Sequence, residues 1–158
     1  MSETIIAEKQ NVIIKESING MISSIKSVIP ANLSFNPPVL IQKDYHQSDL
    51  GVIIGITGDF SGQILIEGEE TAFNSIAQVM YGMELEGEML ESFVGELGNQ
   101  ISGHMVTTLS QNSFSLNISP PTVIVGKSKY TAFKNAIKLS VEVDNNRFNI
   151  LFMTAKEM

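Results

Sequence analysis

Apolar residues recur along this chain with two periods, and the switches between them mark out its elements. Over residues 8–29, Val12, Ile13, Ile18, Ile22, Ile25 and Ile29 follow roughly helical spacing and stop before Pro30, which predicts a first helix. Pro37-Pro38 restart the chain as an extended segment over residues 39–43, because proline donates no amide hydrogen and disfavours helix in the residue before it. Residues 51–57 and 63–67 are rich in β-branched side chains and are joined by the tight run Gly58-Asp59-Phe60-Ser61-Gly62, the pattern of a hairpin. Residues 69–80 read as a short amphipathic helix, with Phe73, Ile76, Ala77 and Met80 on one side and Tyr81-Gly82 as its stop. A long helix follows over residues 89–109. After Pro120-Pro121 the pattern predicts strands at 122–125, 131–133, 136–143 and 147–154, the last two joined by Asp144-Asn145-Asn146. This order predicts one α+β domain over residues 1–158, with three helices and a mostly antiparallel sheet of about six strands, in the order α-β-β-β-α-α-β-β-β.

The long helix carries the candidate chemistry. At about 100° per residue, Leu90, Phe93, Val94, Leu97, Ile101 and Met105 cover one face, while Ser92, Glu96, Asn99 and Gly103 share nearly the opposite one. Gly95, Gly98 and Gly103 each cost a helix interior about 1 kcal/mol relative to alanine, so something is expected to approach this helix closely. That neighbour is either a partner or, for Gly95 and Gly98 together with Ser102, a second helix. The amide of Asn99 does not titrate and cannot act as a base, but it can hold a water at a chosen angle. Positioning of that kind suits phosphoryl transfer, where orientation matters more than deprotonation. Glu96 would repel phosphoryl oxygens and is better matched to a lysine or arginine. Set against this, a Glu and an Asn three apart on a helix are most often two solvated residues.

Composition narrows the classes. A chain of 158 residues with 43% hydrophobic residues suffices for one packed core. A net charge of −7 without a basic patch argues against nucleic acid, the densest basic region (Lys127, Lys129, Lys134, Lys138) reading as the wet face of strands. With no cysteine there is no disulfide, thiolate nucleophile or sulfur-based metal site. The longest apolar run, 52–56, is far too short to cross a bilayer, and the start lacks a basic segment followed by an apolar one, so a soluble cytoplasmic protein without membrane contact is expected. His104 reads as a hydrogen-bonded, partly buried histidine, and His46 as a loop residue without identifiable metal partners, so no metal site is expected.

There is also an internal echo. Glu16 and Asn19 open a helical stretch that ends before Pro37-Pro38 and a strand, as Glu96 and Asn99 lie on a helix that ends before Pro120-Pro121 and a strand. It is read either as an ancient duplication or as chance.

Together, Ser92, Glu96, Asn99 and Pro121 resemble the signature of the CheX, CheC and FliY family of phosphatases, which dephosphorylate the chemotaxis response regulator CheY: Asp or Ser, three residues, Glu, two residues, Asn and a distal proline. The Asn99-to-Pro121 spacing is one residue short of that pattern, and the element order is similar over nearly the whole chain, most like CheX. The resemblance implies that Glu96 pairs with the active-site lysine of a phosphorylated CheY-like receiver domain and that Asn99 orients the attacking water. Ser92, Gly95 and Gly103 would meet the receiver, which would bring its own magnesium, so no cofactor of this chain is implied. A homodimer is implied too, with edge pairing of residues 147–154 as a route. Glu16 and Asn19 would form a second site, with Val12 where Ser92 stands and Ile18 where Gly98 stands. The alternative is a non-catalytic receiver-binding or motor-switch-like interaction domain of the same fold.

Overall fold

The three predicted helices are α1 (Glu3–Val28), α2 (Glu70–Tyr81) and α3 (Glu88–Gln111) in a computed structural model that describes residues 3–155. Around them run β1 (Ser34–Phe35), β2 (Val39–Ile41), β3 (Tyr45–Gln47), β4 (Leu50–Gly58), β5 (Gly62–Gly68), β6 (Leu116–Ile118), β7 (Thr122–Val125), β8 (Ser128–Tyr130), β9 (Phe133–Val143) and β10 (Asn146–Ala155). The strands that the sequence pattern missed, β1, β3 and β6, span two or three residues, too few for an alternation to show. The strand expected at 131–133 lies instead at β8, with Phe133 opening β9.

The main sheet is antiparallel throughout, in the order β1-β9-β10-β5-β4-β6, with β2 also on β9 and β7 also on β4. Strand β10 is paired on both sides, with β9 and with β5. The expectation that residues 147–154 offer an edge to a second chain is therefore wrong: their backbone groups are spent inside the sheet. The two-residue turn before β10 holds Asp144 and Asn145 at φ 47° and 65°, the left-handed pair that a right-twisted hairpin requires.

The order reads the same from either end. Phe35 faces Val141 as Ile118 faces Ile56, and Leu40 faces Ile137 as Val123 faces Val52. Leu65 faces Leu151 on the central pair. The helices correspond as well: Ile13, Ser17, Met21 and Ile25 of α1 are buried, as are Phe93, Leu97, Ile101 and Met105 of α3. The echo in the sequence is thus a structural repeat with a pseudo-two-fold axis between β5 and β10.

One face of the sheet carries the helices. Helix α1 packs along α3 through small residues, the Ser24 hydroxyl donating to Ile101 O at 2.5 Å and a Cβ on Gly20 falling 3.1 Å from Met105 Cγ. The other face buries Leu65, Phe133, Ala136, Leu151 and Met153, packed with Tyr45 and Tyr130 of the β3–β8 ribbon. At 2% exposure, Glu67 is taken out of water here and held by donors: Tyr45 Oη and Asn149 Nδ2 at 2.7 Å, and Ser48 N at 3.0 Å. Burial first, then the Glu67 charge, pushes the Tyr45 phenol above its ordinary range and that of Tyr130 up to about 12. Among the described residues no helix is long and apolar enough to cross a membrane.

Candidate functional site

Helix α3 is seated by its apolar stripe, with Leu90, Phe93, Val94, Leu97, Ile101 and Met105 all buried. Ser92, Glu96 and Asn99 on the opposite face are exposed, and Gly103 is partly so. The three glycines divide by what lies next to them. A Cβ on Gly98 would stand 2.6 Å from Val52 Cγ1, and one on Gly95 would stand 3.1 Å from Val123 Cγ2. Both let α3 descend onto β4 and β7, so the close neighbour at these two positions is the chain's own sheet rather than another helix or a partner. Gly103 has nothing within 4 Å of a Cβ.

Descent of α3 onto the sheet creates a groove of about 600 Å³. Ser92, Gly95, Glu96 and Asn99 form one wall, and Ile118, Ser119, Pro120 and Pro121 form the other. That second wall is a β-bulge. Ile118 faces Ile56 and Thr122 faces Ile53, so three residues, Ser119, Pro120 and Pro121, stand opposite two, Ile54 and Gly55. Neither proline can donate to β4. Ser119 bridges the gap, its N–H donating to Gly55 O at 2.9 Å and its Oγ accepting from Gly55 N at 2.7 Å.

Glu96 accepts from Gln100 Nε2 at 3.1 Å, one turn along the same helix, and makes no ion pair among the described residues. No lysine or arginine occurs anywhere between Lys43 and Lys127. A solvent-facing carboxylate without a cation of its own, steered by one carboxamide, keeps lone pairs free for a cation brought from outside. Sequence reasoning missed Gln100, Ile118 and Ser119. The Ser-Pro-Pro run was the available signal for the last of these, since adjacent prolines in a strand demand an edge or a bulge.

In the first repeat the same positions are arranged differently. Glu16 is partly buried and accepts from Asn112 Nδ2 at 3.3 Å, Asn19 is exposed, and Val12 stands 52% exposed at the place of Ser92. Ile18, at the place of Gly98, packs its side chain against the core. Helix α1 lies along α3, whereas α3 lies on β4, β6 and β7.

Neither histidine gathers ligands. His46 faces Lys129 across the ribbon, and His104 is partly buried with Nδ1 lacking a hydrogen-bond partner among the described residues, unlike the bonded histidine expected. No three His, Asp or Glu side chains converge on a metal position among the described residues.

The fold is shared with a CheC-like superfamily protein from Shewanella sp. PV-4, with a TM-score of 0.74 at 22% identity over 89% of this chain and 95% of that one. A CheX–CheY–BeF3–Mg2+ complex from Borrelia burgdorferi gives a TM-score of 0.72 at 22% identity, covering 90% of this chain and 97% of the other. The family described as chemotaxis phosphatase CheX matches residues 50–144. The CheY-P phosphatase CheX of Thermotoga maritima is 31% identical over 134 residues, 80% of this chain and 86% of its own. The chain belongs to the CheX family of chemotaxis phosphatases.

Proposed function

We propose that this protein hydrolyses the aspartyl phosphate of a CheY-like receiver in cytoplasmic chemotaxis signalling, using the groove beside α3. The observation that carries the reading is the placement of Glu96 and Asn99 on one exposed helical face, one turn apart, along an open groove. Likeness to a protein named CheY-P phosphatase, and to a CheX solved together with CheY, supports the same partner.

In this reading α3 enters the receiver's active site. Glu96 pairs with the receiver's lysine and fixes the register of the two proteins. The Asn99 carboxamide oxygen accepts one proton of a water and points its lone pair along the line of attack. The water oxygen bonds to phosphorus as the bond to the aspartyl oxygen breaks, leaving a carboxylate on the receiver and inorganic phosphate, which takes up the water's proton. Because the transition state is loose, alignment supplies most of the acceleration and no titrating base is required. Magnesium belongs to the receiver, and this chain contributes only side chains. Ser92 and Gly103 lie where the receiver backbone passes, while Gly95 seats α3 on β7 beneath them. One site, on the second repeat, does the work, and Glu16 is engaged by Asn112 at the end of α3 instead. The reading includes a homodimer, formed through the outer strands β1, β2, β6 or β7 now that β10 is enclosed.

The experiment is a time course of phosphate loss from CheY phosphorylated with acetyl phosphate in magnesium. Asn99→Ala is expected to cut kcat by about 100-fold or more, the scale at stake in alignment, while still binding BeF3-loaded CheY. A panel of receivers that lose phosphate no faster with the protein than without it removes the reading.

A further inference from the structure

We infer that Ser119 is a positioning residue for this reaction, its hydroxyl locking the proline bulge into a fixed wall opposite Asn99. The inference rests on the reading of the groove given above.

The need for a lock follows from covalent structure. Antiparallel neighbours hold one another by reciprocal N–H and C=O bonds, and Pro120-Pro121 remove two donors in succession where the chain passes from β6 to β7. The extra residue of the bulge leaves the Gly55 N–H without a carbonyl partner in that gap. Ser119 Oγ takes its place at 2.7 Å, and the Ser119 hydroxyl points onward to Pro120 O at 3.3 Å. One side chain thus ties β4, its own backbone and the first proline together. The same residue lines the groove with Asn99. The wall's distance from α3 is then set by β4, on which α3 also rests through Gly98.

The first repeat supplies the comparison. There Asn36 precedes Pro37-Pro38, and its N–H donates to Ser140 O at 3.0 Å, as that of Ser119 does to Gly55 O. Among the described residues no side-chain bond from Asn36 completes the bridge, and the Ser140 hydroxyl is turned to Asn149 Oδ1 at 2.7 Å. The two bulges share their prolines and differ in the clamp, which occurs beside the groove and not in the other half.

The test compares the full-length protein with Ser119→Ala, Ser119→Thr and Asn99→Ala, using CheY phosphorylated with acetyl phosphate as substrate. A wall that fixes the water's angle gives Ser119→Ala a kcat lowered by about 10-fold with KM within about twofold, because misalignment acts on the chemical step rather than on docking. Ser119→Thr, which keeps the hydroxyl, restores most of the rate. The inference is overturned by an unchanged kcat in Ser119→Ala, by a loss confined to KM, or by a Ser119→Thr that fails to recover. Should Ser119→Ala not fold, Gly55→Ala replaces it, since its methyl would sit 3.2 Å from Ser119 Oγ and displace the clamp without deleting it, with the same split expected. An Asn99→Ala protein at full rate removes the reading of the site itself. An impaired Asn99→Ala beside a normal Ser119→Ala removes only the clamp.

Discussion

Gly98 lies directly over Val52: the space a Cβ would need is already occupied to within 2.6 Å by Val52 Cγ1, and Val52 is fully buried. Helix α3 therefore rests on β4 at a distance no side chain allows, and the candidate site follows from that seating. Gly98→Ala is expected to destabilise the fold by about 1–3 kcal/mol, the usual result of overpacking. Gly103→Ala, with open space around it, is expected to stabilise by up to about 1 kcal/mol through helix propensity. Urea midpoints of the two variants should move in opposite directions.

Among the described residues Glu96 has no cation of its own, and its proposed partner is a lysine on another protein. Glu96→Gln keeps the size and the contact with Gln100 but removes the charge. It should raise KM for phosphorylated CheY by about 10-fold, the scale of one charge-assisted hydrogen bond, with a smaller change in kcat. Salt should weaken the native enzyme more than the variant, and initial rates at two ionic strengths would show it.

The first repeat is expected to be silent. Glu16 is engaged by Asn112, and Ile18 fills the place where Gly98 lets α3 descend. Glu16→Ala combined with Asn19→Ala should leave dephosphorylation within about twofold of the native rate, since neither residue contacts the groove. A larger loss, with an unchanged melting temperature, would place a working site on α1.

Alkali should unfold this protein through the face opposite the helices. Unfolded tyrosines ionise near pH 10, whereas Tyr130 holds its proton to about 12 and Tyr45 is shifted in the same direction. Between those values the folded state binds more protons than the unfolded one. The tyrosines' contribution to stability is therefore complete below about pH 10 and is lost as pH rises through the folded value. Denaturation midpoints should fall from about pH 10 upward, and Tyr45→Phe should lower the midpoint at neutral pH while flattening that alkaline fall.

Much of this was legible in the residues. The period of α3 separated Leu97 and Ile101 from Glu96 and Asn99, because an amphipathic helix writes its burial into its spacing. The hairpin from β4 to β5 and the paired strands β9 and β10 were clear for the same reason. The sheet order was not legible, since antiparallel pairing depends on which strands meet, and period-two alternation carries no address. That is why residues 147–154 read as an edge and proved central. The glycines showed that something approached α3 but not what, because a missing Cβ records a distance and not a neighbour. Ser119 was invisible as a clamp because its role exists only where a bulge strips Gly55 of its partner.

The exchange of strands between the repeats has a further meaning. Strands β1 and β2 of the first repeat lie on β9 of the second, and β6 and β7 of the second lie on β4 of the first. Neither half could close its own sheet if severed, so the molecule amounts to a mutually embracing pair of subunits fused head to tail. One arm's helix lines the cleft, and its sibling's helix braces it from alongside.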